Sequence, residues 1–360
     1  MIQSFNGLRF LAALSVFLVH VPFTQSSGFI TDNIFNNAGF AVTFFFLLSG
    51  FCMAQGYGKR FEVLNKENYK GFVKKRIYKL LPVYTFTTIW AFIFSVATHF
   101  DLKGIIHYIL CLPIAFTFTC SITVVKPFVF HGGVTWFISC VVFSYLFTPF
   151  ILHKVSSFTL QKLFLCALAC YGAIAVIMLA ASPLPEPYHM NILYFGFYCR
   201  FFYYLVGLFF GLIYTKYSTV LKQSRETSMV KNSLVELVAI LIALVAFFSV
   251  SYAKLGYLNQ WVNLYYIPAL LFAILVFAKD KGIFSRLLSL PPLQYLGNTS
   301  MNIFMIHYVV IFFGGEMLLS SLVPQQPLLD IGLLLVVTLV ICVVWDKLLG
   351  VTKRSNTKHE

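Results

Sequence analysis

The chain has 360 residues, of which 59% are hydrophobic and only 11% charged, at a mean hydropathy of +0.84. Roughly a quarter of an ordinary soluble domain is charged, so a soluble globule is excluded and an all-α polytopic membrane protein is predicted. The net charge of +14 would suit nucleic acid, but it sits in short segments between apolar runs, the pattern of a membrane-orientation signal.

Hydropathy places about ten transmembrane helices, at 8–23, 39–56, 77–99, 133–152, 163–182, 193–214, 234–253, 261–278, 298–322 and 328–346. With the N-terminus inside, all of the 26 Lys and Arg except Lys103, Lys126, Arg200 and Lys254 fall on the inner side. Both termini are therefore expected in the cytoplasm. The chain reads as one integral-membrane domain over 1–350 with a short basic tail over 351–360. The run Ile105–Val125 is apolar enough to span, but Pro113 interrupts it, and counting it would put the Lys216–Lys231 cluster outside. It is read as an outer re-entrant or interfacial segment. No small-x-small cleavage site follows the first span, so that span is expected to stay in the protein.

The first span carries Arg9 and His20 inside one apolar run, Leu8 to Phe23. Eleven residues are three helical turns plus about 20°, so both side chains share a face roughly 16 Å apart along the axis. Ionisable residues are costly inside a bilayer and commonly line a cavity or polar pathway. The bland alternative is a snorkelling Arg9 and a hydrogen-bonded core His20. In the second span, Ser49-Gly50 would let another helix approach closely. The basic loop after it ends at Lys74-Lys75-Arg76-Ile77-Tyr78-Lys79 before Pro82. Most of that charge is orientation signal, yet Arg76 and Lys79 share a face, which suits a phosphate-bearing ligand.

Farther along, Trp136-Phe137-Ile138-Ser139 opens the fourth span and Arg200 is a buried-looking guanidinium toward the outer side. His307 lies about ten residues into the ninth span, with Asn302 on a different face and Glu316 opposite. Six of the eight Cys are isolated within spans and read as packing residues, whereas Cys111 and Cys120 share the outer segment and could pair in an oxidising compartment. No Cys/His spacing points to a metal, and none is expected.

Taken in order, Arg9-x10-His20, Phe45 to Phe51, Arg76-x-x-Lys79 before Pro82, Trp136 to Ser139, Arg200 to Gly207 and Gly297 to His307 resemble the acyltransferase-3 family. These are integral-membrane acyltransferases of bacterial surface polysaccharides, and the resemblance covers nearly the whole chain. It departs at Val141, where many members carry Glu, at Lys79, where Arg is usual, and at Phe304, where Tyr is common. Some members add a soluble esterase-like domain after the tenth span. This sequence stops at Glu360, so the membrane unit is expected to complete the transfer or to pass the acyl group on.

The resemblance implies transfer of an acyl group, most often acetyl, from acyl-coenzyme A to a sugar hydroxyl. The expected acceptor is a lipid-linked or surface glycan such as O-antigen, capsule or exopolysaccharide, and the expected place is the bacterial cytoplasmic (inner) membrane among its lipids. It assigns the coenzyme A phosphates to Arg76 and Lys79, with Ser49 beside them and help from Arg9, which is also counted with His20 and His307 in the expected catalytic set. His20 becomes general base or covalent acyl carrier, and His307 a second acid/base or a structural partner. Arg200 and Trp136 are the expected acceptor contacts. A transporter or flippase, or a glycan polymerase, would use buried Arg and His equally well; dependence on acyl-coenzyme A separates them from an acyltransferase.

Overall fold

Apolar segments of this length satisfy their backbone in hydrocarbon by coiling into helices. The computed structural model describes residues 2–21, 33–35, 37–98, 102–122, 134–185, 188–221, 228–252, 261–312 and 327–348, and no strand occurs among them. In chain order the helices are α1 (Ser4–His20), α2 (Ala38–Tyr57), α3 (Lys66–Thr98), α4 (Leu102–Phe116), α5 (Thr135–Val155), α6 (Leu160–Ala181) and α7 (Tyr188–Leu193). There follow α8 (Phe197–Leu221), α9 (Met229–Tyr252), α10 (Trp261–Phe277), α11 (Ile283–Leu288), α12 (Pro291–Asn298), α13 (Ser300–Val310) and α14 (Pro327–Leu348).

Among the described residues, seven helical stretches are long and apolar enough to cross a membrane: α2, α3, α5, α6, the α7–α8 run, α9 and α14. The remaining expected spans correspond to shorter apolar helices: α1 and α10, of 17 residues each, and α13, of 11. The second half of the expected 298–322 span, with Glu316, lies outside the described residues. In the doubtful outer segment, α4 has 15 residues and ends beside Phe118, whose φ of 58° is left-handed. Two expectations change. The basic stretch before Pro82 is not a loop, since α3 starts at Lys66 and carries Lys70, Lys74, Lys75, Arg76 and Lys79 on helix. Cys111 and Cys120 are both free thiols.

The most intimate packing joins α2 to α8, and glycine permits it. A Cβ at Gly50 would stand 1.9 Å from the Tyr204 carbonyl oxygen, and one at Gly207 would stand 1.9 Å from the Leu47 carbonyl oxygen. Small residues on both helices thus bring backbone against backbone, the packing that holds helices together where lipid supplies no hydrophobic drive. α1 is fastened at its start by Asp280, whose carboxylate accepts from the backbone N–H of Gln3 (2.9 Å) and of Ser4 (3.1 Å). A carboxylate at a helix N-terminus satisfies otherwise orphaned donors and complements the dipole. Glu236 does the same for α11, accepting from the N–H groups of Gly282, Phe284 and Ser285 and from the Ser285 hydroxyl.

Because Gly207 faces backbone rather than a yielding side chain, Gly207→Val should cost about 1–3 kcal/mol, the usual range for overpacking. A lower unfolding temperature in detergent micelles would register it, with Ala substituted at the open position Gly172 as a neutral control.

Candidate active site

α1 and α13 cross near the end of α1, and the crossing brings together two imidazoles 287 positions apart in sequence. His307 Nε2 lies 3.3 Å from His20 Nδ1, with ring centroids 5.1 Å apart. Each ring also has its Nδ1 against the carbonyl one turn earlier: His20 against Val16 O at 2.8 Å, His307 against Ile303 O at 3.0 Å. A carbonyl only accepts, so the protons are assigned to both Nδ1 atoms. His20 Nδ1–H is then shared between Val16 O and the His307 Nε2 lone pair, and His20 Nε2 keeps its own lone pair. That nitrogen makes no hydrogen bond among the described residues. His307 is fully buried, and His20 is half-buried and lines a cavity of about 350 Å³. Trp136, Tyr194, Phe304 and Tyr308 are among its walls.

Cationic groups gather toward the other end of α1. Arg9 donates through Nη1 to Asn6 Oδ1 (3.0 Å) and through Nη2 to Cys52 Sγ (3.1 Å). Asn6 in turn donates to Gln294 Oε1 (2.8 Å), and Gln294 Nε2 donates to Gln3 O and Leu288 O. This chain of bonds fixes the guanidinium from α12. The Arg76 guanidinium lies over the rings of Tyr57 (4.7 Å), Tyr145 (5.7 Å) and Phe72 (5.8 Å), and its buried Nε has no hydrogen-bond partner. Ser49 reaches the same cage, its hydroxyl 3.5 Å from that of Tyr145. Lys79 feels the charges of Arg76, Arg9 and Asp346, which places all three cations in one electrostatic neighbourhood. Asp346 is buried, accepts from Asn302 Nδ2 at 2.6 Å and leaves Oδ2 without a partner.

The third locus is Arg200, fully buried on α8. Its Nε donates to Tyr194 O at 2.9 Å, while Nη1 and Nη2 have no hydrogen-bond partner. Four rings surround the guanidinium, at 4.7 Å (Tyr194), 5.2 Å (Tyr203), and 5.9 Å each (Phe46 and Trp136). Trp136 is held there by its own motif. Ser139, one turn along α5, bonds to the Ser121 hydroxyl at 2.6 Å and donates to Phe118 O, tying the start of α5 to the left-handed turn after α4.

The expected site residues thus fall into three groups: His20 with His307, Arg9 with Arg76, Lys79 and Ser49, and Arg200 with Trp136. Arg9 and His20 do not touch each other; they mark two ends of one helix face. Sequence reading missed Asp346, Gln294, Tyr57, Tyr145 and Tyr308. Of these, only Asp346 carried even a weak signal, as an acid at the end of an apolar run that reads equally as a solvated terminus. Val141 is buried, and Phe304 is a cavity wall packed on Phe45 and Phe137, so both departures from the family pattern are apolar core in this chain. Among the described residues no group of three His, Cys, Asp or Glu is arranged to hold a metal.

A family profile described as an acyltransferase domain, that of the acyltransferase-3 family, matches residues 2–345, almost the whole chain. No curated protein and no solved structure matches it.

Proposed function

The chain belongs to the acyltransferase-3 family, and from that premise we propose that it moves an acetyl group from acetyl-coenzyme A to a sugar hydroxyl of a lipid-linked surface polysaccharide. The acyltransferase activity and the multi-pass membrane character follow from the family and the apolar helices. The donor, the acceptor and the bacterial inner-membrane location belong to the proposal.

The observation that carries the reading is the bond between His307 Nε2 and His20 Nδ1 beside a cavity. Under the proposed topology, ten spans with both termini cytoplasmic, the Arg9–Arg76–Lys79 cluster lies at the inner mouth and His20 toward the outer leaflet. The unpartnered Arg76 Nε and the three converging cations fit the phosphates of coenzyme A, and Ser49 and Tyr145 offer hydroxyls beside them. Arg9, roughly 16 Å below His20 on the same face, continues the polar path along which the thioester arm would lie.

His20 Nε2 removes the proton of the sugar hydroxyl as its oxygen adds to the thioester carbonyl. The resulting tetrahedral intermediate collapses with cleavage of the C–S bond. His20 returns its proton to the departing thiolate, leaving a sugar ester and free coenzyme A. During the step His20 carries a positive charge, and its Nδ1–H bond to His307 Nε2 strengthens because donor and acceptor then form a charge-assisted pair. His307 therefore holds the base in the required tautomer and spreads the charge, while Arg200 and Trp136 contact the acceptor.

His20→Ala should lower transfer by about 10²–10⁴-fold, the usual contribution of a general base, with unchanged abundance in the membrane. The readout is the O-acetyl signals of purified surface polysaccharide by proton NMR, comparing a deletion strain, the strain restored with wild type and the strain restored with His20→Ala. Unaltered O-acetyl signals in all three would sink the reading and favour a transporter. His307→Ala should lower kcat by about tenfold, ~1.4 kcal/mol of barrier, with little effect on the donor KM.

The double variant Arg76→Gln/Lys79→Gln should do the reverse, raising the acetyl-coenzyme A KM with a smaller change in kcat. An unaltered donor KM would leave those two residues as orientation signals only. Cysteine accessibility tests the topology: residues of α4 reachable from the cytoplasm would overturn the ten-span arrangement.

A further inference from the structure

Arg200 is fully buried, its acceptor contact has been given no chemistry beyond contact, and its environment is unusual for a structural residue. A cation enclosed in low dielectric is ordinarily paired with a carboxylate or fully hydrogen-bonded. Here Nε alone is bonded, to Tyr194 O, and both Nη groups are buried with no partner. Aromatic faces surround the charge and stabilise it, but a ring accepts no in-plane N–H. The Tyr203 ring is one of those faces, and its hydroxyl is buried. A planar fork of unused donors thus sits inside an aromatic box.

Two of the four rings are shared. Trp136 and Tyr194 pack on the guanidinium and also line the cavity that His20 borders. Their ring centroids are 5.2 Å apart, so the two rings pack together where cavity and cation come nearest to sharing a wall. A neutral sugar hydroxyl reaching past them would satisfy a hydrogen bond and leave the charge unpaired. An anionic oxygen group would answer both needs, and a carboxylate or phosphate matches the guanidinium fork two oxygens to two nitrogens.

We propose that Arg200 binds an anionic oxygen substituent of the acceptor, a carboxylate or a phosphate, admitted from the His20 cavity when the Trp136 or Tyr194 ring swings aside. This rests on the acyl-transfer reading for the word acceptor, though not for the anion. The two chemical sources are an acidic sugar within the glycan and the phosphate that links a glycan to its lipid. In either case the class of substrate narrows to acidic acceptors, and a neutral glycan without phosphate is excluded.

The test uses the full chain in lipid nanodiscs and follows its unfolding temperature with glucuronate, inorganic pyrophosphate or glucose. Wild type, Arg200→Met and Arg200→Lys are compared. Wild type should gain stability with one of the two anions and not with glucose. That gain should be larger than in Arg200→Met, because the basic cluster around Arg76 and Lys79 contributes to pyrophosphate binding in both proteins. Arg200→Lys, which keeps the charge and loses the fork, should gain less than wild type, and it carries the comparison alone if Arg200→Met does not fold.

An Arg200-dependent gain with glucuronate assigns an acidic sugar, and one with pyrophosphate assigns the lipid linkage. Equal gains in wild type and variants, or none with either anion, overturn the proposal. Acetyl-coenzyme A consumption by the wild-type preparation is measured in parallel. Its absence would sink acyl transfer while leaving an Arg200-dependent anion effect standing.

Discussion

The contact between His20 and His307 is the constraint on which the rest of the site depends, because it fixes where α1 ends relative to α13. Two helices in hydrocarbon gain little from apolar contact, so polar bonds and close packing decide their register. α1 has such bonds along its length: Asp280 caps its start, Gln294 and Asn6 hold its first turns, and His307 meets its last residue. With both ends fastened, the face bearing Arg9 and His20 cannot rotate without breaking several buried bonds at once.

That fixed helix rests on an equally unyielding neighbour. α2 is packed backbone to backbone on α8 through Gly50 and Gly207. α2 therefore supplies Cys52 to Arg9, Ser49 to the Arg76 cage and Phe46 to the Arg200 box from one rigid surface. Val42 of the same helix lines the His20 cavity, so all three loci described above share this element. A bifunctional site needs such a ruler, since an error of about 1 Å in placing reacting groups is enough to cost much of the rate.

What could be read in the sequence follows from how local each signal is. The shared face of Arg9 and His20 is a property of one helix and eleven residues, so periodicity alone supplies it. The pairing of Arg200 with Trp136 was legible only through the resemblance, because it joins two helices. The bond from His307 to His20 spans the whole chain, and no spacing rule reaches across it. Asp346 was hidden for a similar reason: an acid near a helix end looks like a solvated terminus until Asn302 is seen against it. The basic run before Pro82 was misread as a loop because charge masks helical periodicity, although Lys and Arg are good helix formers. Ser139 had the family pattern but no evident task until its bonds to Ser121 and Phe118 tied the start of α5 to the turn after α4.

The two ends of the site solve the cost of buried charge differently, and the difference bears on function. At the Arg9 end, the cations have Asn6, Cys52 and the field of Asp346 to answer them, and they lie close to the expected aqueous side. A ligand there exchanges with water and can come and go. At Arg200 the charge is enclosed, with half-spent donors and only aromatic faces for company. Such an arrangement is disfavoured in the empty protein, and whatever satisfies it recovers that cost as binding free energy. The cost is incurred next to the cavity bordered by His20, the place proposed for the acceptor hydroxyl. Under the proposed acyl transfer, affinity generated there would position the group that reacts, whereas affinity generated at the Arg9 end would only retain the donor. On the proposed reading, selectivity for the acceptor resides in the fully buried cation, and capture of the donor in the half-exposed ones.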